Sequence, residues 1–403
     1  MELADKLIIL ADAAKYDASC ASSGAPRRSS KGREGLGATN GTGICHSFTP
    51  DGRCVSLLKI LMTNFCLYDC QYCINRRSSN VPRARFSVDE IIRLTLDFYR
   101  RNTISGLFLS SGIIRSSDYT MEALVRVAKT LRLEHNFRGY IHLKTIAEAS
   151  PELIRQAGLY ADRLSVNVEL PTVQSLEKLA PEKSEARIHG AMGTIRDGLG
   201  EADAEPRAPR FSPSGQSTQM IVGADTVDDH TILGNVQRLY RDYRLKRVYY
   251  SAFSPIPESP GTVPHSAPPL LREHRLYQAD FLMRSYGFRA DELLDGPGNL
   301  SLEIDPKLGW ALRHREHFPV DLDRAETRMI ARVPGIGLRS AQRIVALRRE
   351  RHIRYDDLVR LGCSMKKLAP FITTGDYRPR DAGLDNHALR ARLAPPPAQM
   401  PLL

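Results

Sequence analysis

Between Val55 and Tyr286 the sequence alternates strand-like and helix-like segments six times, and few folds accommodate that pattern. Val55–Met62 (VSLLKILM) is an apolar run of strand length, as expected of a strand buried on both faces. Ser87–Arg101 reads as an amphipathic helix, with Ser87 as N-cap and Glu90 closing a capping box. Strands follow at Gly106–Ser110, Tyr140–Ile146, Arg163–Leu170, Thr218–Val222 and Arg247–Phe253. Helical patterns follow them at Tyr119–His135, Pro151–Ala157, Leu176–Leu199, Val227–Tyr243 and Glu273–Tyr286. Strands separated by helices imply right-handed parallel crossovers. Six units fall two short of a closed eight-stranded barrel, so the expected class is α/β, a partial (β/α)6 barrel. A doubly wound open sheet is the alternative, because periodicity does not separate the two.

The 403 residues are 42% hydrophobic and 26% charged, which excludes a mainly disordered chain. No apolar run approaches the roughly 18 residues of a membrane span. The opening MELADKLIILADAAKYD carries charges around a short apolar core, so it reads as an amphipathic helix of a cytoplasmic protein and not as a secretory leader. Five segments are expected: residues 1–54, a helix followed by a Cys/Ser/Gly/basic stretch; 55–290, the barrel; 291–323, a connection containing the only tryptophan, Trp310; 324–380, an all-helical module; and 381–403, a disordered tail.

The loop leaving the first strand is TNFCLYDCQYCINRR, in which Cys66, Cys70 and Cys73 form C-x3-C-x2-C with Tyr72 before the last cysteine. A structural zinc site takes four ligands, usually in two C-x2-C pairs, and here the fourth is missing. A [4Fe–4S] cluster held by three thiolates keeps one iron open to a small molecule. The position fits as well, since active sites of parallel α/β folds gather at the carboxyl ends of the strands.

Spacing, aromatic residue and strand context resemble the radical S-adenosylmethionine (radical SAM) superfamily over about residues 55–290. The resemblance implies SAM bound at the open iron, and its one-electron cleavage to methionine and a 5′-deoxyadenosyl radical. It also implies an electron donor such as flavodoxin or ferredoxin. Where the family has a Gly-Gly-Glu-like run, this chain has Ser110, Ser111 and Gly112 without the Glu. By the same resemblance Asn167 and Glu169 would reach the SAM ribose or amino acid. Gly223 would belong to a degenerate glycine motif, and Tyr249 and Ser251 would lie by the adenine.

The net charge is +11, and residues 324–380 hold 14 basic against 5 acidic residues, a net of +9. Within them, ETRMIARVPGIGLRSAQRIVALRRE reads as helix, tight turn at Pro334–Gly337, helix. This resembles a helix-hairpin-helix motif, whose backbone N–H groups grip phosphate without reading bases. The residues implied are Gly335, Ile336, Gly337, Arg339, Ser340 and Arg343. A second, degenerate hairpin is expected around Leu361 and Gly362, and a helical pair that only packs is the bland alternative.

Cys20, Cys45 and Cys54 are candidates for an auxiliary iron–sulfur cluster or zinc, with His46 as a fourth ligand, or are buried thiols. Eight strand residues put Cys54 roughly 26 Å from the cysteine loop, which removes it from direct catalysis. The whole arrangement is similar to a family of DNA-modification or repair radical SAM proteins that begins with a KYDASCASS-like segment and ends in a helix-hairpin-helix. That resemblance implies a nucleic acid, DNA, as substrate and a uracil-DNA-glycosylase-like partner. The rivals are an RNA-modifying radical SAM enzyme and a non-catalytic DNA-binding iron–sulfur protein.

Overall fold

A computed structural model describes residues 1–14, 28–29, 38–39, 44–48, 54–205, 207–256, 261–379 and 386–394; of residues 28–55, 386 and 387 it describes at most the backbone. Cys20 lies outside the described residues, and Cys45 and Cys54 are described as strand backbone alone. The chain forms two compact units, Met1–Val227 with Arg238–Pro268, and Asp228–Gln237 with Pro269–Leu403.

The first unit is built on six parallel strands: β1 (Cys54–Leu61), β2 (Gly106–Ser110), β3 (Tyr140–Lys144), β4 (Arg163–Ser165), β5 (Gln216–Val222) and β6 (Arg247–Ala252). Their spatial order is their chain order, and β6 does not pair back to β1. Strictly sequential order is that of an open, partial barrel; a doubly wound sheet would reverse direction at a switch point. The partial (β/α)6 barrel is therefore the fold.

Helix α1 (Leu3–Ala13) precedes the sheet, and the ion pair of Lys6 with Glu90 joins it to α2 (Val88–Arg100). Ser87 accepts the Glu90 N–H and Glu90 accepts the Ser87 N–H, as the capping box requires, and Ile91, Ile92 and Leu94 bury the apolar face. Strand β2 is buried at all five positions, which explains its unbroken apolar reading. Helices α3 (Ser117–Leu133) and α4 (Pro151–Tyr160) follow β2 and β3.

Three departures from expectation have local causes. The antiparallel strand Ile44–Phe48 pairs with β1 within residues 1–54, for which the sequence predicts only a helix and a Cys/Ser/Gly/basic stretch. Strand β4 ends at Ser165, short of the predicted Leu170: beyond it the Val168 N–H donates to the Thr218 side chain, and Glu169, at a φ of 64°, keeps only an isolated bridge to Met220. The helical stretch after β4 is two helices, α5 (Val173–Leu179) and α6 (Glu185–Ala204), broken around Pro181, which cannot supply a helical N–H.

In the second unit, which holds the start of α7 (Asp229–Tyr243), Asp229 is ion-paired to Arg272 of α8 (Leu270–Tyr286). Arg275 of α8 donates to the carbonyls of Ser301 and Leu302, so this helix belongs with the connection that follows and not with the barrel. Helices α9 (Ala290–Leu293) and α10 (Pro306–Arg313) come next, with Trp310 of α10 buried against Phe288 and Phe318. Then come α11 (Thr327–Arg332), α12 (Leu338–Leu347), α13 (Tyr355–Arg360) and α14 (Met365–Leu368). The tail is not wholly structureless: α15 (Asn386–Leu393) buries Leu389 and Leu393, one helical turn apart, and Arg390 pairs with Glu303. No helix among the described residues is long and apolar enough to cross a membrane.

Candidate active site at the carboxyl ends of the strands

The cysteine loop is fixed from two sides. On one side, Thr63 Oγ1 donates to the Ala84 carbonyl (2.9 Å), Asn64 Nδ2 donates to Pro82 (2.8 Å), and the Ala84 N–H donates to Asn64 Oδ1 (2.8 Å). The Arg83 guanidinium donates to the carbonyls of Asn64, Asn75, Arg76 and Ser79, and so spans the loop from before Cys66 to after Cys73. On the other side lies the turn after β2. Gly112 N–H donates to Thr63 O and Leu67 N–H to Ile113 O, both at 2.8 Å. The Ile113 N–H lies 3.5 Å from Cys66 Sγ. Gly112 has no room for a side chain, because a Cβ there would sit 2.2 Å from the Phe65 carbonyl oxygen.

Cys66, Cys70, Tyr72 and Cys73 open into one cavity with Ser110, Ser111 and Gly112, and with Asn167 and Glu169 beyond β4. Nine of the sequence-predicted residues thus meet at one site, at the strand ends where parallel folds place their chemistry. The serine hydroxyls are not free donors to a ligand: Ser111 Oγ donates to the Gly112 carbonyl (2.6 Å), and Ser110 is buried and partnered. Asn167 Nδ2 donates to Gln219 Oε1 at 3.4 Å.

Sequence reading missed Lys183, Glu148, Gln219 and Arg83. Lys183 enters the cavity from the break between α5 and α6 and pairs with Glu169. Burial works against its charge, but Glu169 first, then Cys70 and Glu148, outweigh it and raise the ammonium pKa above the ordinary lysine value. Burial raises the Glu148 carboxyl pKa despite Lys183, and Glu148 Oε1 is buried without a hydrogen-bond partner. The one available signal was Pro181, which marks a helix break beside a charged residue.

The donor set fits an iron–sulfur cluster with a small-molecule ligand. Burial pushes the Cys70 thiol up to about 12 and the Cys73 thiol up to about 11, so as free groups they stay protonated, and bound iron is what would hold them as thiolates. The Tyr72 hydroxyl and Glu148 Oε1 face the same cavity as buried polar atoms without partners, which a polar ligand would satisfy.

Three predicted residues do not line the cavity. Register sets Tyr249 and Ser251 opposite Gln219 and Ile221, with the Arg247 guanidinium 5.3 Å from the Tyr249 ring centre. Gly223 has a φ of 82° and packs so closely on Pro268 that a Cβ would come within 2.7 Å of its ring. For Gly223 the backbone alone explains the glycine.

In the second unit the Pro334–Gly337 turn joins α11 to α12, and Gly335 takes a φ of 85°. Its Cα is pressed against the second hairpin, where a Cβ would meet Ser364 O at 2.7 Å, and Ser364 N–H donates to Gly335 O. Ile336 is buried, and its carbonyl accepts Lys307 Nζ at 2.6 Å. Ser340 Oγ donates to Leu361 O (3.4 Å), again between hairpins. Gly335, Ile336 and Ser340 therefore build the module from within. Gly337, which caps α12 without a side-chain bond, and the exposed Arg339 and Arg343 remain on its outside.

No family model and no curated protein matches the chain. Among solved structures it is similar to HydG, a maturase of the [FeFe]-hydrogenase, at 14% identity over 55% of this chain and 48% of that one, with a TM-score of 0.41. HydG from Carboxydothermus hydrogenoformans is similar at 12% identity over 55% and 50%, with a TM-score of 0.42. Methylornithine synthase (PylB) is similar at 14% identity over 54% and 60%, with a TM-score of 0.41. The chain spans about half the length of these structures.

Proposed function

We propose that this chain is a radical SAM enzyme acting on nucleic acid, with DNA the substrate class. The observation that carries the first half is the convergence of Cys66, Cys70 and Cys73 on one cavity with residues from beyond β2, β3 and β4 and from within β5. Cys66, Cys70 and Cys73 would hold a [4Fe–4S] cluster, and the adjoining cavity would hold SAM. Together these would supply one-electron reductive chemistry on SAM, which opens unactivated C–H bonds to reaction.

The chain's own part is to position and to enclose. Arg83 and Gly112 fix the cysteine loop. Lys183 and Glu169 place opposite charges side by side at the cavity wall, complementary to a ligand bearing both an ammonium and a carboxylate. Tyr72 and Glu148 add a hydroxyl and a carboxyl whose partners the ligand would supply. Buried apolar side chains at Leu61, Ile113, Ile146 and Ile188 keep water from the same space.

The second half rests on α12. Its N-cap Gly337 offers no side chain to the first-turn N–H groups, and Arg339 and Arg343 stand exposed beside them. A phosphate fits such a helix start. The net charge of +9 over residues 324–380 supplies a sequence-independent grip. DNA is preferred to RNA by the likeness of the two hairpins to helix-hairpin-helix modules.

The test is anaerobic reconstitution followed by reduction. The parent should yield 5′-deoxyadenosine and methionine from SAM, and replacing Cys66, Cys70 and Cys73 by Ala should abolish both the cluster signal and that product. Deuterium passing from labelled DNA into 5′-deoxyadenosine would establish the substrate; transfer from RNA alone would make this an RNA enzyme. S-adenosylhomocysteine as the sole product would point to methyl transfer and end the radical reading.

A further inference from the structure

In the second unit two histidines pack on the chain's only tryptophan. Trp310 is buried in α10, which ends at Arg313 with His314 as its C-cap. Arg315–His317 then makes a single 3₁₀ turn. The His314 ring centre lies 5.3 Å from that of Trp310, and the His317 ring is stacked on Trp310 at 6.0 Å and 17°. The two imidazoles also stack on each other, 6.0 Å apart. One large buried side chain therefore orients both rings.

Glu316 faces both of them: its Oε1 lies 3.1 Å from His314 Nδ1 and 3.7 Å from His317 Nε2. One ligand atom from each of the three residues lies within 4.8 Å of the others. His314 Nε2 is buried and has no hydrogen-bond partner among the described residues, so Nδ1 is the nitrogen this ring can offer. Ligands about 2.1 Å from a tetrahedral ion stand roughly 3.4 Å apart. The exposed side chains of Glu316 and His317 can close to that spacing. The neighbouring cations are engaged elsewhere. Arg313 pairs with Asp295 and Arg332 with Glu292, while the Arg315 guanidinium lies 5.4 Å from the Phe371 ring centre. His314 also caps the carboxyl end of α10, where the helix dipole favours a cation.

We propose that His314, Glu316 and His317 form a binding site for a zinc ion. Two imidazoles, a carboxylate and a position left to water make a zinc donor set, whereas Mg²⁺ and Ca²⁺ select oxygen ligands. The ion would clamp the end of α10 to the turn leading into Val320–Asp321, the strand that pairs with Ile372–Thr373 beyond the two hairpins. In the bound form the His314 ring proton sits on Nε2, which finds no acceptor among the described residues. A ligand histidine without such a partner binds less tightly, so the ion is exchangeable. The site is independent of the cysteine loop and of the radical SAM reading.

Trp310 is the reporter, in the full chain carrying Cys66→Ala, Cys70→Ala and Cys73→Ala so that the cysteine loop takes no metal. Ni²⁺ accepts imidazole and quenches indole emission at close range, and it should quench Trp310 saturably. Excess Zn²⁺, a closed-shell ion, should displace it, restore the emission and raise the thermal unfolding midpoint. Glu316→Gln and His317→Gln change exposed side chains, and their metal-free emission should match the parent's. Each should bind Ni²⁺ at least about tenfold more weakly, since even losing an outer partner of a ligand costs that much. Zn²⁺ should no longer move their unfolding midpoints. Quenching that grows in proportion to Ni²⁺ without saturating is collisional and overturns the site. Equal Ni²⁺ affinity in parent and variants overturns it too, as does quenching that excess Zn²⁺ leaves in place.

Discussion

Lys183 closes onto the carboxylate of Glu169, and Glu169 holds that reach from a left-handed backbone, at a φ of 64°. A non-glycine residue in that region is a local strain kept only where its surroundings insist on it. Here they do: the Glu169 N–H donates to Gln219 O (3.1 Å) and its carbonyl accepts the Ile221 N–H (2.7 Å).

Breaking this pair leaves a charge stranded in the cavity wall. Lys183→Met or Glu169→Gln should each cost about 3–5 kcal/mol, because removing one partner of a buried pair strands the other. The double variant should lose clearly less than the sum, since neither charge then remains. Denaturant unfolding of all four proteins measures this. Additive losses would show the two charges to be independent.

Arg83 should matter to the loop more than to the barrel. Arg83→Met removes a charged donor from four carbonyls and should cost about 3 kcal/mol. Arg83→Lys should recover little, because an ammonium cannot reproduce the planar fork. Far-UV circular dichroism should stay close to the parent while iron bound per chain after reconstitution falls. Parental iron content in both variants would remove Arg83 from the site.

Lys307 gives the second unit a pH dependence with a definite sign. Burial lowers its pKa from 10.5 to about 7, in spite of Asp305. Between those values the unfolded chain binds a proton that the folded chain does not, so stability rises with pH from about 7 to 10.5 and is lost as pH falls through that window. Lys307→Met should flatten this rise, and should also leave the Ile336 carbonyl without its donor. Unfolding curves collected across the window for parent and variant decide it, and parallel curves would contradict the assignment.

The hairpin predicts a salt dependence. DNA affinity of the full chain should fall with a slope near −0.9 per phosphate neutralised, and Arg339→Ala and Arg343→Ala should each lower that slope by about 1. Gly337→Ala is the sharper test. Among the described residues nothing lies within 4 Å of the added carbon, so lost binding would report blocked approach from outside and not misfolding. Gly335→Ala cannot serve, because its Cβ would collide with the second hairpin. Unchanged slopes would reduce the module to a packing element.

What could be read in the chain was local. The Ser87 cap and the buried run of β2 are set by neighbours in sequence, and the structure places both as expected; the three cysteines, equally local in spacing, line one cavity. Strand order was open because periodicity carries no topology. Ile44–Phe48 went unread because it follows directly on a Gly/Ser-rich stretch, although its partner is near in the chain: Phe48 pairs with Cys54. Lys183 and Arg83 were missed for one reason: each acts through groups brought to it by folding, and a lone cation in a loop has no pattern. The six hairpin residues divided the other way, since a motif names positions without saying which face inward.

The bonds of Arg83 begin at Asn64 and end at Ser79, so a guanidinium ties together the two ends of the segment that carries the three cysteines. Small metal domains fold around their ion and collapse without it. This chain should instead reach its shape bare. Loading the proposed cluster would then be insertion into a finished cradle, and a cell short of iron would accumulate folded, idle protein ready for rescue instead of unfolded chains marked for destruction.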